Sequence, residues 1–182
     1  MFFKDLNSEC DIGANCLYVK LGSFNIVVDS GMSPKLTGLD ALPNFSEIPP
    51  YSLDLVIVTH CHLDHIGSIP VLMRSHPQAR LLVSPQSRCL MPVMLENSYL
   101  VMKRQKKELG IKEYPLFEKH EIEGLNEHYF EMPWGLKRTF RKGEDSIEVT
   151  FLEAGHVAGA GGVLIEYKHR KIFFSGDVLF RQ

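Results

Sequence analysis

Cysteine is scarce in this chain, tryptophan occurs once, and no long apolar run is present. Cys10, Cys16, Cys61 and Cys89 lack the paired spacing of a disulfide framework or a zinc ribbon, so free buried thiols are expected. No apolar stretch approaches the roughly 18 residues of a membrane span, and Met1-Phe2-Phe3-Lys4-Asp5 meets charge too soon for a signal sequence. These absences point to a cytoplasmic globular protein with no membrane partner. The net charge of −2 leaves no dominant sign, so charge alone neither selects nor excludes nucleic acid. No internal repeat or low-complexity tract appears. The single Trp134, in Met132-Pro133-Trp134-Gly135, reads as a packing anchor rather than a base-stacking platform. What is there instead is 45% hydrophobic content over 182 residues, enough for one sizeable core and too little for a second complete domain.

The chemistry concentrates in Thr59-His60-Cys61-His62-Leu63-Asp64-His65, directly after the apolar run Leu55-Val56-Ile57-Val58. A buried strand delivers its end to a tight loop in which three imidazoles and a carboxylate can converge, the donor types that a borderline cation such as zinc prefers. A polar loop that happens to be rich in histidine would leave half of the eight histidines without a role. On extended backbone His60 and His62 share one face and Cys61 points away, which makes the thiol a poor ligand. The neighbours Asp64 and His65 cannot both face the metal of that first pair, which suggests a second metal close by. His76, His120, His128 and His169 suit surface or capping roles.

Around this loop the chain reads as α/β. Strands are expected at 2–6, 16–21, 24–28, 55–58 and 80–83, and again at 147–152, 163–167 and 171–174. A Pro-rich loop from Ser33 to Pro50 runs over the surface near the site. A helix over 68–74 follows Gly67, and Ser84-Pro85 opens a long helix to Leu109 with a kink at Pro92 and a stop at Gly110. Met91, Val93, Met94 and Leu95 read as core. Lys103-Arg104-Gln105-Lys106-Lys107 on that helix, and Lys137-Arg138 with Arg141-Lys142, could contact phosphates, though solvated faces are the favoured reading for such short runs.

His-x-His-x-Asp-His after a hydrophobic strand resembles the signature of the metallo-β-lactamase superfamily, and three further motifs of that family follow the expected order. Asp29-Ser30-Gly31 at the end of strand 24–28 is similar to the first motif, Ala154-Gly155-His156 to the third and Ser175-Gly176-Asp177 to the fourth. Within the superfamily, His62-Leu63-Asp64-His65-Ile66-Gly67-Ser68-Ile69-Pro70, the run Gly155-His156-Val157-Ala158-Gly159-Ala160 and Gly13-Ala14-Asn15-Cys16 resemble the β-CASP branch of nucleic-acid-processing nucleases. That branch includes the cleavage and polyadenylation endonuclease subunit and its prokaryotic relatives. His156 follows His65 by 91 positions, a gap that suits this branch better than compact hydrolases.

The resemblance implies an α/β fold, the N-terminal part of an αββα sandwich, over residues 1–182. It implies one zinc on His60, His62 and His156, a second on Asp64 and His65, and Asp177 bridging. A metal-bound hydroxide would be the nucleophile, oriented by Asp64, while Asp29 holds a ligand or the loop by hydrogen bonds. Family members continue beyond the position of Gln182 into a β-CASP domain, and the last metal-ligand histidine and the histidine that protonates the leaving group belong there. An N-terminal fragment is therefore expected, incomplete at its second zinc site, inclined to self-associate or to need its complementary part, and active on single-stranded RNA only in the complete protein. Two other functions remain open: hydrolysis of a small ester, thioester or lactone, to which the wide gap is the objection, and a non-catalytic scaffold paralogue. Loss of ligands is the usual mark of a scaffold, and all six positions are intact.

Overall fold

A computed structural model describes residues 1–7 and 13–179; Cys10 lies outside them. Strands β1 (Phe2–Asp5), β2 (Leu17–Leu21) and β3 (Phe24–Val28) form an antiparallel meander. β4 (Leu55–Ile57), β5 (Arg80–Val83) and β6 (Tyr129–Glu131) join it in parallel, giving a six-stranded sheet in the order β1-β2-β3-β4-β5-β6. β7 (Arg138–Lys142), β8 (Asp145–Glu153), β9 (Gly161–Tyr167) and β10 (Arg170–Phe174) form a second, antiparallel sheet in the order β10-β9-β8-β7.

Side-chain alternation builds the layers. Leu55 and Ile57 of β4 turn inward with Val19, Ile26 and Leu82 to meet Phe140, Val149, Phe151 and Ile165 of the second sheet. Val56 and Val58 turn the other way, with Tyr18, Val27 and Leu81, toward the helices. Strand β4 is thus covered on both faces, the reason it reads as an unbroken apolar run. The helices α1 (Leu63–Ile66), α2 (Ile69–Arg74), α3 (Pro85–Leu109) and α4 (Lys119–Gly124) lie on that outer face, where Ile66, Leu72, Leu95 and Ile122 are buried. Among the described residues no helix covers the outer face of the second sheet, where Leu152 and Phe173 are exposed. No described helix is long and apolar enough to cross a membrane.

Local signals account for the long helix. The Ser84 hydroxyl accepts the Ser87 N–H at 3.1 Å, Pro85 occupies the first turn, and Gly110 ends the helix at φ 69°. The helix continues through Pro92.

Several expectations are corrected. Cys16 and Cys61 are buried free thiols, but Cys89 is exposed, because it sits on the solvent side of α3. His76 is buried rather than a surface residue, closing the turn after α2. The Pro-rich segment is not a bare surface loop: it carries 3₁₀ turns at Gly38–Ala41 and Phe45–Glu47, with Ala41 and Ile48 in the interior. Strands β6 and β7 and helix α4 were not expected at all.

Candidate metal centre

The site forms where four strand ends meet. Beyond β3 the chain reaches Asp29, a buried non-glycine residue at φ 58°, a conformation that aspartate tolerates better than most residues. Its carboxylate is fully engaged. Oδ1 accepts the Thr59 N–H at 2.8 Å, and Oδ2 accepts the Thr59 hydroxyl at 2.7 Å and the His65 Nδ1 proton at 2.8 Å. Residues 30–32 then seat the back of α1: Ser30 N–H donates to His65 O and Met32 N–H to Leu63 O. A Cβ on Gly31 would lie 1.7 Å from the Asp64 carbonyl oxygen, so only glycine permits this approach.

Beyond β4, the loop presents His60 and His62 on one side, with His60 Nε2 3.1 Å from His62 Nδ1. The Cys61 thiol turns away and donates to the Ser87 carbonyl at 3.5 Å. Helix α1 carries Asp64 and His65, and His65 Nε2 lies 3.7 Å from Asp64 Oδ2. The Asn15 amide reaches the same nitrogen at 3.0 Å.

His156 arrives from the loop between β8 and β9. Ser84 and Ser87, at the start of α3, donate their hydroxyl protons to the Gly159 carbonyl at 2.8 and 3.1 Å, and the Gly161 N–H donates to Thr59 O at 2.8 Å. Asp177 follows β10 across Gly176, whose φ of +55° and 2.8 Å approach of a Cβ to Thr59 Cβ again demand glycine. The Asp177 carboxylate faces both groups. Oδ2 lies 3.5 Å from His156 Nε2 and 4.0 Å from His60 Nε2, while Oδ1 lies 3.6 Å from His65 Nε2.

The donor chemistry fits a divalent cation. One ligand atom each from His60, His62, His156 and Asp177 lies within 4.8 Å of all the others. His156 Nε2 is buried without a hydrogen-bond partner, an orphaned lone pair aimed at the cluster. Burial, helped by the nearby His65, pushes the His60 pKa down to about 4, so its ring is neutral and its nitrogen free to coordinate. Burial also opposes protonation of His65, but the hydrogen bond to Asp29 and the charges of Asp29, Asp64 and Asp177 outweigh it. His65 therefore keeps its Nδ1 proton on Asp29 and points Nε2 at Asp64 and Asp177, the arrangement in which a carboxylate orients a metal-binding imidazole.

All seven residues singled out from the sequence, Asp29, His60, His62, Asp64, His65, His156 and Asp177, lie at this site. Sequence reasoning missed Thr59, which gives Asp29 two protons, and the Ser84 and Ser87 clamp on the His156 loop. Thr59 had a signal in its position at a strand end directly before His60; the serines had none, being 75 and 72 residues from Gly159.

The sequence profile of the Lactamase_B family, the metallo-beta-lactamase superfamily, matches residues 11–182. The chain belongs to the metallo-beta-lactamase superfamily. Among its curated superfamily relatives it is 29% identical to the cleavage and polyadenylation specificity factor 73 of Drosophila melanogaster, over 96% of this chain and 24% of that protein. It is 25% identical to the endoribonuclease YSH1 of Saccharomyces cerevisiae, over 96% of this chain and 22% of the relative. Identity to the Integrator complex subunit 11 of Danio rerio is 28%, over 94% and 28%. The chain thus spans about a quarter of the length of these metallo-beta-lactamase relatives, and they bear out the resemblance to the RNA-processing branch. A solved archaeal metallo-beta-lactamase superfamily protein from Sulfolobus tokodaii superposes with a TM-score of 0.54 over 90% of this chain and 60% of its own, at 17% identity, and so shares the fold.

Proposed function

We propose that this chain is the metal-binding part of a zinc-dependent ribonuclease that hydrolyses RNA phosphodiester bonds. The observation that carries the reading is the Asp177 carboxylate set between two ligand groups, with one oxygen toward His60 and His156 and the other toward His65. Relatives described as endoribonucleases support it. On this reading His60, His62 and His156 hold one zinc, Asp64 and His65 a second, and Asp177 bridges them. Two such cations would acidify a bound water and neutralise charge growing on a phosphoryl oxygen.

The chain's own residues do the positioning. Asp29 holds the His65 proton at Nδ1, which keeps Nε2 directed at the site. Asp64, about a third exposed at the cleft, is placed to orient the attacking water as well as to bind metal. With three histidines at one site and fewer donors at the other, the first binds zinc more tightly. Residues 1–182 are read as the N-terminal portion of the catalytic unit. The remaining ligand, the acid that protonates the leaving group and much of the RNA path then lie on another segment, so this chain alone cleaves little.

Cleavage of a labelled single-stranded RNA by the longest natural form of the protein, by its Asp64→Ala and His156→Ala variants and by this chain alone tests the reading. Both variants lose activity, by about a hundredfold or more each, if the assignment is right. Undiminished cleavage by both variants, robust cleavage by this chain alone, or two tightly held zinc ions on this chain would overturn it.

A further inference from the structure

The end of the sandwich opposite the metal centre carries a basic groove. One depression of about 780 Å³ opens at the start of β3, β4 and β5, floored by Phe24, Leu55 and Phe140. A second of about 390 Å³ shares Gln78, Arg80 and Phe130 with it and continues past His128. The shared wall makes them one elongated channel. The strands run from this end toward His60, which places the channel about 15–20 Å from the metal loop.

Five cationic side chains and the one carboxylate of Asp54 line the larger depression. Two of the cations are neutralised: Lys142 by Asp54 at 2.8 Å, and Lys137 by Glu148 at 2.9 Å and by Glu166. Among the described residues Arg80, Arg138 and Arg141 meet no carboxylate. Arg80 instead lies over the half-buried Phe130 ring, 5.9 Å from its centroid. The contrast with the other basic run is plain. On α3, Arg104 pairs with Glu108 at 3.7 Å and Lys103 lies over Tyr99, on a convex helix face with no groove beside it.

Unpaired guanidiniums along a channel, beside an aromatic ring already capped by arginine, match a flexible polyanion whose phosphates and bases alternate. A compact anion would leave most of so long a channel empty. We propose that this groove is a second RNA-binding surface, which holds single-stranded RNA by its backbone at Arg80, Arg138 and Arg141, remote from the metal centre. The choice of RNA among polyanions rests on the function proposed above; the groove itself does not.

The test is anisotropy of a labelled oligouridylate with the chain carrying His62→Ala, in EDTA, so that metal-centre binding is removed. Adding Arg138→Ala with Arg141→Ala should weaken binding about tenfold or more and lower the slope of log K against log salt by about 2. The Arg138→Lys, Arg141→Lys pair should recover most of that slope, because lysine keeps the point charge. Unchanged affinity and slope in the alanine pair, with the fold intact by circular dichroism, would overturn the groove. Polyglutamate that displaces the oligouridylate at equal charge would overturn RNA as the occupant in favour of an acidic protein segment. Failure of the nuclease reading shows separately, as RNA cleavage that His62→Ala does not change in a protein with an intact groove.

Discussion

Asp29 is the residue on which the rest of the site hangs. It accepts three protons, two from Thr59 and one from His65, and it is buried, so nothing in the solvent replaces a lost bond. Asp29→Asn keeps the shape but offers an N–H where His65 needs an acceptor. His65 is then driven to the tautomer that protonates Nε2, the nitrogen that must ligate. The expected result is zinc affinity at the second site lowered about 10–100-fold with little change in fold, measured by competition against a chelator. Gly31→Ala acts differently. Its Cβ would overlap the Asp64 carbonyl at 1.7 Å, backbone against backbone, so the two motifs must separate. A loss of about 3 kcal/mol or more in denaturant unfolding is expected, or no folded protein at all.

At the scale of elements, the His156 loop owes its place to the first turn of α3. Ser84 both caps the helix and donates to Gly159, so Ser84→Ala should cost about 1–2 kcal/mol in denaturant unfolding and weaken zinc at the first site, which carries His156. The same helix shows how much was legible. Its cap, its proline and its terminal glycine stand in the sequence as Ser84, Pro85 and Gly110, and the strand ends of the metal centre are marked by apolar runs meeting Asp29, His60 and Asp177. Strand β7 was not legible, because Arg138-Thr139-Phe140-Arg141-Lys142 is mostly charged and becomes a strand only by pairing at an edge with β8. Nor was β6, whose three residues are defined by their partner β5. Helix α4 begins with a glutamate cap: the Glu118 side chain accepts the Glu121 N–H while Glu121 accepts that of Glu118, an arrangement unlike the usual Ser, Thr, Asp or Asn signal. Glu121 also meets Arg74 of α2, a long-range pair that no local pattern announces.

For the whole molecule, two consequences of burial can be measured. His76 sits in the interior with Nδ1 unpartnered, and burial lowers its pKa below the ordinary 6.5. The unfolded chain therefore binds the proton more readily than the folded one. Stability is fully present above about pH 6.5 and declines as the pH falls toward the folded-state value, and His76→Gln should remove part of that slope in urea titrations across pH 5–8. The second consequence is the metal centre itself, which gathers buried neutral imidazoles and carboxylates from strand ends far apart in sequence. Zinc content after exhaustive dialysis, with X-ray absorption on what remains, tests it most directly. The account predicts about one tightly held zinc per chain, with nitrogen donors near 2.0–2.1 Å, and its loss in His62→Ala; a wild-type chain that retains no zinc, or a His62→Ala chain that keeps it, would contradict the account.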